Sequence, residues 1–258
     1  MDPHHQAARV AGSSSGHRSP SGAVIDRLGT ILSIWAHPDD ETYLAAGVMA
    51  TAGSLGQRVV CASATAGERG TSDPVTWPPE RLGPERRSEA KAAMAILGVS
   101  EHRIGDLPDG HLEHCEADGA GWADSLLDEV RPDTILTFGP DGQTFHPDHI
   151  AVHRWVTAAW ERRGRRERLL YSATTTEHID RFGDLYERWN VYMSDQRPVG
   201  VPREDLALEL RLSDVMLDRK LAALSAMATQ TESARELLGP ELYAEQAATE
   251  AFVDAAGR

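Results

Sequence analysis

Cysteine is nearly absent: the 258 residues hold only two, Cys61 and Cys115, too few for a disulfide framework. Cys61 falls inside the strand-like run Arg58-Val59-Val60-Cys61-Ala62 and Cys115 in a polar stretch, so they read as unrelated thiols, and a reducing cytoplasm is the expected compartment. Basic charge is also scarce. With 26 Lys and Arg against 40 Asp and Glu, a formal net charge of -14 and a pI near 5.2, the chain lacks the clustered cations that grip a phosphate backbone, which excludes nucleic acid as a partner. No apolar run approaches the ~20 residues of a membrane span, so no membrane partner is expected. Met1 to Gly22 is Ser, Gly, His and Arg without the apolar core of a signal peptide. Residues 1–26 are therefore expected to be a disordered tail, and His4 and His5 tail residues rather than ligands. Internal repeats, heptads and a Gly-x-Gly-x-x-Gly turn are missing as well.

What is present is a 41% apolar composition, ample for one buried core over residues 27–258. Apolar strand-like runs alternate with helical stretches from residue 29 to about 175, the mark of βαβ units. The fold class expected is α/β: a single Rossmann-like domain with a mostly parallel sheet flanked by helices, plus a C-terminal strand and helix extension. Helices are expected over 41–55, 84–97, 119–130 and 147–163. The second closes at Gly98 as a C-cap, with Met94 and Leu97 in the core. Residues 67–84, dense in Gly, Pro, Thr and Asp, read as a long loop that could face a substrate. Beyond Thr176 the pattern weakens. Alternation over Leu206–Leu212 predicts a half-buried strand. Val215–Leu238 reads as a helix with Leu217, Leu221 and Leu224 on its core face, and residues after Pro240 as a short terminal helix.

Two distant segments carry the chemistry. Ala36-His37-Pro38-Asp39-Asp40-Glu41 follows the apolar run Thr30–Trp35, and His146-Pro147-Asp148-His149 follows Asp133–Gly139. Strand carboxyl ends share one edge of a parallel sheet, so the segments should converge there. A hydrolytic zinc site takes about three His or carboxylate ligands and leaves a position for water; His37, Asp40 and His149 can supply them. Asp39, pointing elsewhere, is the candidate general base. Pro147 suits the first turn of a helix and sets His146 at its entrance, where a protonated His146 could stabilise an oxyanion or protonate a leaving amine. Asp148 is expected to sit beside His146, raising its pKa and fixing its tautomer. His153, one turn beyond His149, reads as a helix-surface or supporting residue, and His102, His111, His114 and His178 as solvated loop residues. Asp109, in a turn signal before His111, is expected at the pocket rim, where it would contact substrate. Iron, cobalt and manganese accept the same donors, so zinc (Zn2+) is the default metal.

The combination of the two motifs resembles the PIG-L/LmbE-like family of zinc-dependent N-acetylglucosaminyl deacetylases, from about Thr30 to Trp155. The resemblance implies zinc ligands at His37, Asp40 and His149, a base at Asp39, transition-state assistance from His146 and a tuning carboxylate at Asp148. It also implies a substrate-gripping arginine, best matched by Arg86. The family's mycothiol-pathway enzymes typically carry a tyrosine two residues before the first His of the second motif; here Thr144 stands there, which speaks against a mycothiol precursor as substrate. Phe145 replaces a small residue and would narrow the pocket or stack on a sugar. Met227 stands where a related stretch often has His, so no ligand is expected from that region.

The function implied is a zinc-dependent hydrolase that removes an acyl group, acetyl by default, from a small amino-sugar conjugate. An amidase on a thiol conjugate, a tailoring deacetylase of a glycosylated natural product, and a catalytically silent metal- or ligand-binding Rossmann-like protein are the alternatives. Oligomeric state is open, a homo-oligomer included.

Overall fold

The computed structural model describes residues 24–257. Strand β1 (Ile31–Trp35) is buried at every position, as is β2 (Val59–Ser63), which is what a strand covered by helices on both faces requires. β1 pairs in parallel with β2 on one side and with β4 (Thr134–Thr137) on the other. With β3 (Glu101–Ile104), β5 (Arg168–Ser172), β6 (Leu208–Arg211) and β7 (Thr249–Asp254) the sheet has the order β3-β2-β1-β4-β5-β7-β6. β1 to β5 run parallel, whereas β7 is antiparallel to both β5 and β6. The chain winds outward from β1 to β3 and returns to β4 beside β1, so the strand order reverses between β1 and β4. That switch point opens a crevice at the carboxyl ends of both strands.

Seven helices connect the strands among the described residues: α1 (Asp40–Ser54), α2 (Pro79–Leu97), α3 (Glu116–Val130), α4 (Pro147–Arg162), α5 (Thr176–Arg188), α6 (Asp214–Ser225) and α7 (Ala228–Ala247). Gly98 closes α2 in the left-handed conformation (φ 76°), and Met94 and Leu97 are buried as expected. α2 begins at Pro79, five residues before the expected start, because Pro79 is tolerated in a first turn; the long loop shortens accordingly.

The C-terminal part departs from the sequence reading. α5, where the pattern weakens, is nucleated by Thr175, whose Oγ1 accepts the His178 N–H at 3.1 Å. His178 is thus a helix residue, and His102 lies in β3. The single helix expected over 215–238 is two, α6 and α7, and α7 runs past Pro240 through a kink at Gly239 (φ 73°). Leu217 and Leu221 pack with Leu224 in a core that also holds Tyr243 and Ala247. The chain then enters β7, a strand that its short run Thr249–Asp254, directly after an Ala-rich helix and without a turn signal, concealed. Val24 to Asp26, expected within the tail, form a helical turn with Arg27, and Ile25 is buried beside Leu28; residues 1–23 lie outside the described residues. His4 and His5 lie outside the described residues.

One buried ion pair ties the C-terminal part to α1. The Lys220 ammonium, fully buried, donates to Glu250 Oε1 at 2.9 Å and to the Tyr43 carbonyl at 2.6 Å. The Glu250 carboxylate in turn accepts the N–H groups of Gly47 (2.7 Å) and Val48 (2.9 Å). A Cβ at Gly47 would stand 2.3 Å from Leu212 Cδ2, so a larger residue there would have to displace that side chain. α1, whose first residue is Asp40, is therefore braced by β7 and α6.

Candidate active site

The turn leaving β1 is held in a conformation that a non-glycine residue rarely adopts. Asp39 has φ 127° and ψ -34°, a cost of about 1–3 kcal/mol that surrounding contacts must offset. Its N–H donates to the Glu41 carboxylate at 3.2 Å and its carbonyl accepts the N–H groups of Thr42 and Tyr43, both at 2.9 Å. Arg86 of α2 reaches over from the other side: one Nη donates to the Pro38 carbonyl, the other to the Gly67 carbonyl at 2.7 Å, and its charge lies 3.4 Å from Asp39 Oδ1. Gly67 admits this approach, because a Cβ there would fall 2.1 Å from the guanidinium.

His37, Asp40 and His149 converge. His37 Nδ1 lies 3.2 Å from His149 Nε2, and Asp40 Oδ1 3.3 Å from the same nitrogen. One ligating atom from each falls within 4.8 Å of the others, all three residues being buried. The outward-facing atoms fix the tautomers. His149 Nδ1 donates to the Gly142 carbonyl at 2.8 Å, and His37 Nε2 faces Asp109 Oδ1 (3.0 Å) and Asp148 Oδ2 (3.2 Å). Each imidazole thereby turns its lone pair inward, the arrangement that supporting hydrogen bonds give metal-binding histidines. Phe138 stacks on the His149 ring with centroids 4.2 Å apart and packs edge-on against Trp35, so the ring is clamped by the core.

A second group, His37, His146 and Asp148, also brings potential ligands together. It has less to offer a cation. Asp148 Oδ1 accepts the Leu112 N–H (2.9 Å), its Oδ2 accepts the Gly110 N–H (2.7 Å), and His146 Nδ1 accepts the Asp148 N–H at 3.1 Å as the N-cap of α4.

The charges suit a cation at the first group. Asp39, Asp40, Asp109 and Asp148 crowd around it, answered by Arg86. Burial pushes the His149 imidazole down to about 4, which leaves it neutral at pH 7. Burial opposes the charge on Asp40, yet His149 and His37 outweigh it and hold the carboxyl well below its usual range. Burial would also lower His37, but its bonds to Asp109, Asp148 and Asp40 raise it well above 6.5; a dication could replace that extra proton. Asp39 is pushed up to about 6, mainly by burial and against the pull of Arg86. Glu41 rises to about 8, first through burial and then through Asp39.

Several expectations need correcting. The Asp148 carboxylate bonds to His37 and the 110–112 backbone and not to the His146 ring; its charge raises the pKa of His146 as expected, but burial, followed by repulsion from His37, outweighs it and lowers that pKa. Arg86 is 3% exposed and occupied by backbone carbonyls, so it shapes the Asp39 turn. Asp109 is buried, not at a rim, and accepts the Arg69 N–H at 2.6 Å besides facing His37. Phe145, with φ 60°, is half-buried and lies edge-on to Tyr192, centroids 6.4 Å apart. His153 donates through Nδ1 to the Phe138 carbonyl at 2.9 Å, the supporting position expected of it. Met227 is buried at the junction of α6 and α7. The sequence reading gave Glu41 no part; its adjacency to Asp39 in an acidic run entering a buried helix was the available signal.

Comparison with known proteins finds relatives by sequence and by fold. The family model described as "PIG-L: GlcNAc-PI de-N-acetylase" matches residues 32–160. A Saccharomonospora viridis protein named 1D-myo-inositol 2-acetamido-2-deoxy-alpha-D-glucopyranoside deacetylase is 31% identical over 242 residues, covering 83% of this chain and 88% of that relative. A Rhodococcus jostii protein of the same name is 30% identical over 239 residues, with 78% and 81% covered. Among solved structures, the zinc-inhibited form of teicoplanin deacetylase superposes with a TM-score of 0.63 at 17% identity, covering 89% of this chain and 100% of that one. The N,N'-diacetylchitobiose deacetylase of Pyrococcus horikoshii gives 0.61 at 19% identity, covering 88% and 84%.

Proposed function

The chain belongs to the PIG-L family, and from that premise we propose that it is a zinc-dependent hydrolase that cleaves the acyl group from the nitrogen of an amino-sugar conjugate. The observation that carries the reading is the inward convergence of His37 Nδ1, His149 Nε2 and an Asp40 oxygen beside a separately held Asp39. Two neutral imidazole donors and one carboxylate suit zinc and leave room for water. When bound, the metal supplies Lewis-acid polarisation of the amide carbonyl and acidification of a water.

The chain's own groups do the rest. Asp39, with a pKa of about 6, is ionised at neutral pH yet basic enough to take the proton of the attacking water. It then hands that proton to the nitrogen as the C–N bond breaks, so acid and amine leave in balance. His146 accepts a backbone N–H at Nδ1, which keeps its proton on Nε2, and from there it donates to the oxygen that gains charge. This role needs a neutral imidazole, in keeping with its lowered pKa. Asp109 and Asp148 orient His37; Glu41 and Arg86 hold the Asp39 turn.

The relatives' names place an acetamido sugar joined to inositol on the substrate side of those proteins. For this chain we keep the amino-sugar amide and leave the aglycone to experiment, since Thr144 stands at the position discussed above. Incubating the zinc-loaded protein with N-acylated glucosaminides and assaying for new primary amine tests the reading. Metal-dependent release that is absent in Asp39→Ala supports it. A metal-loaded protein that releases no amine from any amide of the panel contradicts it.

A further inference from the structure

A cavity of about 320 Å³ is lined at one side by Asp40 and His149 and elsewhere by residues of α5 and α7. Tyr43, Leu44, Tyr186, Tyr192, Ala234 and Ala247 supply much of its wall. Several of the polar groups along it are already engaged. Gln143 donates to Thr174 Oγ1 (2.6 Å) and accepts from Ser172 (3.1 Å). His178 Nε2 meets the Tyr186 hydroxyl at 2.7 Å, Tyr43 and Tyr243 share a hydrogen bond of 3.1 Å, and Glu250 is consumed by Lys220 and α1. The aromatic and aliphatic side chains among the lining give an apolar group a surface to bury against.

Resting on the hydrolase reading above, we propose that this cavity receives the acyl chain of the substrate, and that the enzyme prefers medium-chain or arylalkyl amides over acetamides. The direction follows from the three substituents of the scissile carbonyl carbon. Its oxygen points to His146 and its nitrogen to Asp39, and neither residue lines the cavity. The remaining substituent, the acyl chain, is left facing Asp40 and His149, where the cavity opens. An acetyl methyl group would occupy only a corner of it. Most of the wall lies beyond residue 160, where the family match ends, so relatives can share the metal site and differ here.

The test measures kcat/KM of the zinc-loaded full chain on methyl glucosaminides bearing N-acetyl, N-hexanoyl, N-octanoyl or N-phenylacetyl groups, and on the N-acetyl octyl glucosaminide. A buried methylene is worth about fourfold, so the octanoyl amide should exceed the acetyl amide by roughly tenfold or more even with partial burial. Ala234→Trp, which fills the cavity, should cut the octanoyl-to-acetyl ratio by roughly tenfold. If thermal denaturation shows Ala234→Trp misfolded, Ala247→Leu takes its place with the same expectation. Cleavage of the acetyl amide with discrimination against every longer acyl group overturns the proposal while the deacylase reading stands. A gain that follows the octyl aglycone instead of the acyl chain also overturns it. Absence of cleavage throughout removes both.

Discussion

The two parts of the chain meet at one crevice and serve it differently. Residues 31–162 run as a parallel sheet with crossover helices and bring every proposed ligand and proton-handling group to two adjacent turns. Residues 168–254 add the last parallel strand, an antiparallel pair and three helices, and contribute no ligating atom to the first metal group. They build the wall of the cavity and, through Lys220 and Glu250, the brace under α1. The parallel part thus resembles a fixed reaction head, whereas the C-terminal part holds it in place and shapes what reaches it. Changes in the first should break chemistry with the fold intact; changes in the second should break the fold, or the choice of substrate, with the chemistry intact.

The sharpest contrast comes from His149→Ala. With one of three ligands gone, bound zinc should fall well below one equivalent by elemental analysis, and kcat/KM should drop by at least about a thousandfold. Asp39→Asn comes next. It should keep the metal and lower kcat by about 10²–10⁴-fold, and because burial raises the pKa of Asp39, removing the charge should leave Tm unchanged or slightly higher. A large loss of Tm would make Asp39 structural.

On the other side of the comparison, Lys220→Met leaves the Glu250 carboxylate buried without its cation, which should cost about 3–5 kcal/mol in chemical denaturation. Adding Glu250→Gln, which still offers an acceptor to α1, should recover part of that loss. If Lys220→Met is instead neutral, the brace does not matter.

The smallest effect is acid sensitivity at His178, whose pKa burial lowers to about 4, with Lys220 adding to the shift. A depressed folded-state pKa means that the unfolded chain binds the proton more readily below about 6.5. Stability from neutral His178 is therefore complete above that pH and is lost as the pH falls towards 4, by about 2 kcal/mol. His178→Gln should flatten this part of the stability profile. His102 in β3, lowered to about 4 by burial alone, should leave a matching slope that His178→Gln does not remove.

The same division governs what could be read without coordinates. The ligand turns were legible because each is contiguous and follows an unmistakable strand, and strand ends in a parallel sheet meet by topology. Which carboxylate serves which imidazole was not. Asp148 adjoins His146 in sequence, but α4 turns its carboxylate towards His37, and Asp109 arrives at the same nitrogen from a different loop. Arg86 was expected to grip substrate; its burial depends on Gly67 leaving space from a loop without periodicity. β7 and α5 were missed because their sequences are short or weakly patterned and they lean on partners far away, β5 and β6 for the one, the Val201 carbonyl that accepts the Thr176 N–H for the other. The cavity wall, drawn from residues between 40 and 251, has no local signature at all.

The central claim is that Asp39 is a base held beside a separate His37, Asp40 and His149 metal group. Parallel determination of zinc content and amine release for the native chain and Asp39→Ala tests it most directly. The account predicts about one zinc in both proteins, with release from N-acyl glucosaminides in the native chain alone. Near-native release by Asp39→Ala, or loss of zinc on its substitution, would contradict it.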